Sequence, residues 1–171
     1  MKKIASTIFP FILFINPAMS QDDPLKSFQK IVSNCQTAFD ARQPIDVSFN
    51  ERSKKWVKRH FVSHQVTYDV RKTDSLVSPF SAVINLKELR LAGSSDTEQG
   101  AASLNLSPSS SGMQSNSVIR FAMQDGKWVF KSWEESVNMK LDGQTEFSPQ
   151  NQITLKREPQ EILAPRVSCL P

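Results

Sequence analysis

The sequence predicts an α+β fold in which an N-terminal helix packs on a curved antiparallel β-sheet. Three observations lead to this prediction. Apolar residues recur at helical spacing after residue 23, several later segments alternate apolar and polar residues, and Asp125-Gly126 separates two apolar-rich runs. Residues 21–171 suit a single domain with a sizeable core.

The first twenty residues predict a signal peptide. Lys2 and Lys3 form a positive start, residues 4–16 form an apolar run, and residues 18–20 are the small-residue pattern at which a signal peptidase cuts. A membrane anchor is the alternative, but a span needs about 20 apolar residues. We therefore expect cleavage after Ser20, a periplasmic or secreted bacterial protein, and no transmembrane segment in the mature chain.

Cys35 and Cys169 are the two cysteines of the chain. An even number of cysteines in an exported protein favours a disulfide, with two free thiols as the alternative. The bridge would tie the first helix to the last few residues. Closing a loop of that length stabilises a fold by about 4–5 kcal/mol in the chain-entropy model.

The first helix is predicted between Asp23 and Ala41. Asp23 can cap it, Pro24 fits its first position, and the Gln43-Pro44 step ends it. One apolar stripe runs along the helix and consists of Leu25, Phe28, Val32, Cys35 and Phe39, with Ile31 beside it.

The sheet is predicted from alternating segments. Residues 45–49 indicate a short strand, and residues 54–61 suit either a helical turn or the start of the next strand. In the later segment 80–91, Leu89 and Leu91 break the alternation, which predicts a bulge or a register change near Lys87-Glu88. The alternating apolar residues of the remaining candidate strands are Val66, Tyr68, Val70, Ala82, Ile84, Leu86, Val137, Met139, Leu141, Ile153 and Leu155.

Residues 93–117 are dominated by Ser, Gly, Asn and Gln. Such a segment buries little apolar surface, so it predicts a long, flexible, Ser-rich loop between strands. The C-terminal tail contains three prolines and is predicted to be extended, with Cys169 fixing it.

A two-residue type I′ turn at Asp125-Gly126 sets the register of a hairpin. It places Met123 opposite Trp128 and Phe121 opposite Phe130, on the face that we expect to pack against the helix. The same register predicts a second, half-wet face that holds Val118, Arg120, Ala122, Val129, Lys131 and Trp133. We expect no charged groups to be sheltered between the helix and the sheet.

The sequence contains no catalytic motif, and it predicts no cofactor. His60 and His64 are four residues apart, which would place them on one side of a helix or strand, but no third metal ligand is identifiable. Two ordinary histidines are therefore favoured over a metal site. Glu134 and Glu135 are adjacent on a strand, so they should point to opposite faces.

One basic stretch is a candidate binding surface for an anionic partner. The alternative is a solvated basic face beside one anchoring tryptophan. The formal net charge of +4 includes two leader lysines, so the mature chain is too weakly basic to favour nucleic acid. The surface consists of Lys54, Lys55, Trp56, Lys58, Arg59 and His60.

The order of elements resembles the nuclear-transport-factor-like or cystatin-like architecture. The likeness covers about residues 23–134, namely the first helix, the paired strands in 66–86 and the hairpin 125–133. It implies a cone with an internal cavity, in which enzymes of this type place an Asp/His pair. Neither His60 nor His64 has an identifiable partner in the sequence. The segment 93–117 and the C-terminal tail also depart from the pattern.

We expect a non-enzymatic binding or accessory protein of the bacterial envelope, whose partner is an unidentified envelope or secreted protein. An inhibitor or immunity-type protein is the sharper form of this expectation. The alternative is a small-ligand-binding or enzymatic cone-shaped domain that uses a cavity between helix and sheet, and it predicts an accessible pocket with polar groups. A structural component that oligomerises through a sheet edge is the third hypothesis.

Overall fold

The protein was studied as a computed structural model, which describes residues 23–148, 150 and 152–171. The predicted signal peptide lies outside the described residues. The helices and strands in chain order are α1 (Pro24–Asp40), β1 (Ile45–Asn50), β2 (Lys55–Lys72), β3 (Phe80–Ser95), α2 (Glu98–Ser103), β4 (Gly112–Gln124), β5 (Lys127–Lys140) and β6 (Gln152–Arg157).

The six strands form one antiparallel sheet in which every strand pairs with its neighbours in sequence, from β1 at one edge to β6 at the other. Helix α1 packs on one face of this sheet, which we call the inner face. The predicted α+β class is therefore confirmed. No helix in the described part of the chain combines the length and the apolar character needed to cross a lipid bilayer.

Helix α1 begins as the sequence predicts. The side chain of Asp23 accepts a hydrogen bond from the backbone N–H of Leu25 at 3.0 Å, and Pro24 occupies the first turn. Leu25 itself is 44% exposed, so it does not belong to the buried stripe. The buried side chains of α1 are Phe28, Ile31, Cys35 and Phe39.

The β4–β5 hairpin turns at Asp125-Gly126, and both residues have positive φ, as a type I′ turn requires. Trp128 and Phe121 then face α1. The ring of Phe28 lies 4.8 Å from that of Trp128 and 5.2 Å from that of Phe121, and Nε1 of Trp128 donates to Oγ of Ser27 at 3.0 Å. This apolar half of the helix–sheet interface matches the prediction.

Two register shifts change which side chains face inward. One lies in β2 between Phe61 and Ser63, and the other lies between β4 and β5 next to Arg120 and Phe121. The second shift pairs Ile119 with Trp133, which is 1% exposed and belongs to the core. The predicted outer position of Trp133 is therefore wrong, and Arg120 pairs with Ser132 rather than with Lys131.

The irregularity expected near Lys87-Glu88 is found next to these residues, but as a register change and not as a bulge in β3. The pairing of β2 with β3 shifts opposite Leu89 and Arg90, where β2 carries the extra residue, and the pairing of β3 with β4 is continuous. The inner face of β3 therefore continues from Leu86 to Glu88 and Arg90, and the two leucines that suggested a bulge occupy the outer face.

Residues 93–117 do not form one long loop. They contain the last residues of β3, the whole of α2 and the first residues of β4. The side chain of Thr97 caps α2, and Nζ of Lys58 donates to the carbonyls of Ala102 and Leu104 at 2.8 and 2.7 Å. Hydrogen bonds from Thr97 and Lys58, together with the fully buried Ala101, hold this polar segment in place.

The C-terminal tail returns along the inner face. It forms two short 3₁₀ turns, Pro159–Glu161 and Arg166–Cys169, rather than the extended chain that the prolines suggested. Cys169 forms the predicted disulfide with Cys35 in the middle of α1, and both cysteines are fully buried. The disulfide fixes the path by which the tail crosses the sheet.

Candidate functional site

A cavity of about 380 Å³ lies on the inner face beyond the end of α1. The sheet forms its floor, and residues 161–166 of the tail form its opposite wall. The cavity exists because α1 covers only part of the sheet and the tail spans the remainder. The floor and rim residues that carry the polar chemistry are Arg42, Glu88, Arg90, Glu135 and Arg157, and the tail adds Glu161 and Arg166.

Two carboxylates are buried in this region. Glu88 on β3 is 8% exposed and Glu135 on β5 is 1% exposed. Our expectation of no sheltered charged groups concerned the space between the helix and the sheet, whereas these two carboxylates lie beyond the end of α1, where the C-terminal tail covers the sheet. A buried carboxylate is costly unless cations and hydrogen bonds compensate it.

Arg166 supplies most of that compensation because it lies between the two carboxylates. It donates to Glu135 at 2.7 Å, to Glu88 at 2.9 and 2.5 Å, and to the hydroxyl of Ser115 at 3.2 Å. Burial lowers the pKa of Arg166, but the two carboxylates outweigh burial and raise it above its ordinary value. The tail is therefore joined to β3 and β5 by a buried ion network.

Each carboxylate also has a second guanidinium. Arg42, just after α1, donates to Glu88 at 2.8 Å, and Arg157 on β6 donates to Glu135 at 2.9 Å. Burial raises the pKa of Glu88, but the charge of Arg166 and the hydrogen bonds from Arg42 and Arg166 hold it below its ordinary value. Glu88 is therefore ionised at neutral pH.

Arg42 is held in place by an aromatic ring as well as by Glu88. The centre of its guanidinium lies 3.8 Å from the centroid of the Phe61 ring. This is a cation–π contact of the kind that arginine makes over an aromatic face. The ring and the carboxylate together fix the side chain at the rim of the cavity.

Arg90 differs from the other arginines of the cavity. Within the described residues it has no carboxylate within ion-pair distance, and its one side-chain hydrogen bond goes to the sulfur of Met113 at 3.1 Å. Burial and the positive charges of Arg59 and Arg166 lower the pKa of Arg90, and the negative charges of Glu88 and Glu135 offset this only in part. The cavity thus contains a half-buried cation whose donors are mostly unused.

Two buried polar side chains near the cavity, on β4 and β5, lack hydrogen-bond partners within the part of the chain that the structure describes. Nε1 of Trp133 and Oγ of Ser117 have no hydrogen-bond partner among the described residues. Trp133 also lines the cavity, and Ser117 is the cross-strand neighbour of Glu135. The indole N–H of Trp133 is therefore a buried donor beside the cavity that has no acceptor among the described residues.

The six residues of the candidate basic surface are divided by the alternation of β2. Trp56 packs against Phe49 on one face, with ring centroids 5.6 Å apart, whereas Arg59 pairs with Asp46 at 2.7 Å on the other. Lys58 binds the end of α2, as described above. The members exposed to solvent are Lys54 at the turn and Lys55 at the start of β2, and His60 lies on the face of Trp56 and Lys58.

The histidines do not share a face, because the bulge in β2 lies between them. His64 faces inward, and its Nε2 lies 2.9 Å from Oδ1 of Asp40 and 3.1 Å from Nε2 of Gln36. This Asp/His pair was not predicted from the sequence. Neither member lines the cavity, and Asp40 is 58% exposed. In the described part of the chain no three His, Cys, Asp or Glu side chains are arranged to hold a metal ion.

Glu134 and Glu135 point to opposite faces, as predicted. Glu134 pairs with Arg120 at 3.0 Å on the outer face, whereas Glu135 joins the buried network. Sequence reasoning missed the network because it took leucines to mark the inner face of β3. The available signal was the regular alternation that leads from Leu86 to Glu88 and Arg90.

Comparison of the chain with protein-family models, with curated proteins and with solved structures finds no match. The geometry of the cavity and the chemistry of its lining are therefore the basis on which a function is proposed.

Proposed function

We propose that this chain is an exported small-ligand-binding protein whose ligand occupies the cavity between the sheet and the C-terminal tail. The observation that carries the proposal is the cavity itself, about 380 Å³ in volume and lined by both charged and apolar side chains. Ligand sites in proteins are concave, of this order of size, and combine apolar walls with a few placed polar groups.

The packing of the inner face supports this choice. Aromatic side chains fill the half under α1, but the half under the tail keeps open space beside a fixed ion network. A network that is hydrogen-bonded on all sides holds its side chains in one geometry, which favours binding without rearrangement. Export is supported by the composition of residues 1–20 and by the disulfide, since disulfides persist in oxidising compartments.

Native mass spectrometry of the mature protein, purified from the exported fraction, tests the proposal. We expect a retained small molecule, or binding of members of a fragment library. The variant Met113→Trp should abolish both, because Met113 lines the cavity. Gln114→Trp is the control, since Gln114 is exposed on the opposite face of the same strand. If the wild-type protein retains no molecule and binds no fragment, the proposal fails.

A protein partner is the second candidate, favoured by the turn between β2 and β3. There Leu76 is 100% exposed and Val77 is 77% exposed, which is unusual for adjacent large apolar side chains. A photo-crosslinking residue at position 76 should capture one defined envelope protein in cells, whereas the same residue at exposed Lys131 should not. Equal labelling from both positions would remove this candidate.

A further inference from the structure

We infer that the cavity ligand is a small organic anion whose carboxylate or phosphate group pairs with the guanidinium of Arg90. This inference rests on the proposed function, because it names the class of ligand for the same cavity. It is carried by three features of the lining: its charge balance, the saturation of its carboxylates and the distribution of its apolar side chains.

The charge balance favours an anion. The lining contains four arginines and three glutamates, which leaves one net positive charge. Glu161 is exposed and accepts a hydrogen bond from the backbone N–H of Glu158 at the rim. The deeper part of the site is therefore more positive than the whole, and an anion entering it would be attracted.

Among the described residues that line the cavity, Arg90 is the cation that remains for a ligand. Both oxygens of Glu88 are bound by Arg42 and Arg166, and both oxygens of Glu135 are bound by Arg157 and Arg166. No carboxylate of the network is thus free to pair with Arg90. A guanidinium carries five N–H donors, and the contact with the sulfur of Met113 satisfies one of them with a weak acceptor.

The geometry of a guanidinium selects the ligand group. Its planar fork matches two oxygens of a carboxylate or phosphate, and such charge-assisted pairs are about twice as strong as neutral hydrogen bonds. Binding would also relieve the cost of holding Arg90 half-buried near Arg59 and Arg166. The indole N–H of Trp133, which has no partner among the described residues, is a further buried donor on a side chain that lines the cavity.

The apolar part of the lining accommodates the body of the ligand. A bare inorganic ion would leave these side chains without contact, whereas an organic anion would cover them. The apolar lining residues are Phe61, Met113, Val137, Ile162, Leu163 and Pro165.

Isothermal titration of the full mature protein tests the inference with benzoate, hexanoate, phenyl phosphate and inorganic phosphate, and with neutral benzamide as the matched uncharged probe. We expect the organic anions to bind at least tenfold more tightly than benzamide, and more weakly as NaCl is raised. Tighter binding of inorganic phosphate than of every organic anion would overturn the organic part of the inference.

Variants separate the role of Arg90 from general charge. Arg90→Gln should weaken benzoate binding at least tenfold, and Arg90→Lys should retain part of it. Arg120→Gln is the control, because Arg120 lies on the outer face and pairs with Glu134. Circular dichroism and thermal unfolding of each variant show whether the fold is kept.

The outcomes distinguish the two proposals. If benzamide binds as tightly as benzoate and Arg90→Gln changes nothing, the anion assignment is overturned while ligand binding in the cavity stands. If none of these probes binds, the anion assignment is overturned as well. If native mass spectrometry and the fragment library are also negative, the ligand-binding function falls with it.

Discussion

Replacing Arg166 by methionine tests the buried ion network directly. Within residues 23–148, 150 and 152–171, Arg166 is the one side chain that forms ion pairs with both Glu88 and Glu135, and it is 22% exposed. Methionine keeps much of the side-chain volume but removes the charge and every hydrogen-bond donor. Two buried carboxylates would then lose their shared cation.

The expected loss follows from what remains. Removing one partner of a buried ion pair costs about 3–5 kcal/mol. Because Glu88 keeps Arg42 and Glu135 keeps Arg157, we expect the free energy of unfolding to fall by about 3 kcal/mol, at the lower end of that range. For a chain of this size the corresponding decrease in Tm is about 6–12 °C.

The assay is urea unfolding of the oxidised protein, followed by tryptophan fluorescence and far-UV circular dichroism. Arg120→Met is the control and should change stability by less than about 1 kcal/mol, since its pair with Glu134 is exposed. Adding Glu135→Gln to Arg166→Met should recover part of the loss. A loss below about 1 kcal/mol for Arg166→Met, close to that of the control, would refute the account of the network as buried and charged.

Three further predictions follow from other parts of the structure. The pKa of Glu88 is lower in the folded protein than its unfolded value of about 4.3, so the stabilisation from Glu88 is present above that pH and is lost as pH falls through the folded pKa. Urea midpoints measured between about pH 6 and pH 2.5 should show this loss of stability, and the loss should be smaller in Glu88→Gln. Lys140 is 3% exposed and its Nζ donates to the carbonyls of Pro108, Ser110 and Gln144. Lys140→Met should therefore lower the free energy of unfolding by about 2–3 kcal/mol, whereas the same change at exposed Lys131 should leave it almost unchanged; equal urea midpoints for the two variants would contradict this. Replacing Cys35 and Cys169 together by alanine should lower the free energy of unfolding by about 5 kcal/mol, because the bridge closes a loop with a sequence separation of 134; a midpoint equal to that of the oxidised wild type would contradict the entropic account.

Features that depend on neighbouring residues could be predicted from the sequence. The start of α1 follows from Asp23 and Pro24, because capping and the fixed φ of proline act within one turn. The β4–β5 turn follows from Asp125-Gly126, because a type I′ turn needs positive φ at both positions. The disulfide followed from counting, since the chain has no third cysteine.

The path of each strand beyond its turns could not be predicted in the same way. A bulge adds one residue and moves every later side chain to the other face. The shift near Phe61 separates His60 from His64, and the shift near Arg120 brings Trp133 into the core. Neither bulge is marked by a glycine or a proline, so local sequence gave no signal of it.

By itself the sequence determined the first helix, the hairpin, the disulfide and the α+β class. The helix, the hairpin and the class depend on residues that are close together in the chain, and the disulfide follows because the chain has two cysteines. Only the tertiary structure decided the site. Its charged groups come from positions 42, 88, 90, 135, 157, 161 and 166, which meet because the strands align them and the disulfide directs the tail across the sheet. Burial of a charge is determined by what covers it, and the covering segment here lies far away in sequence.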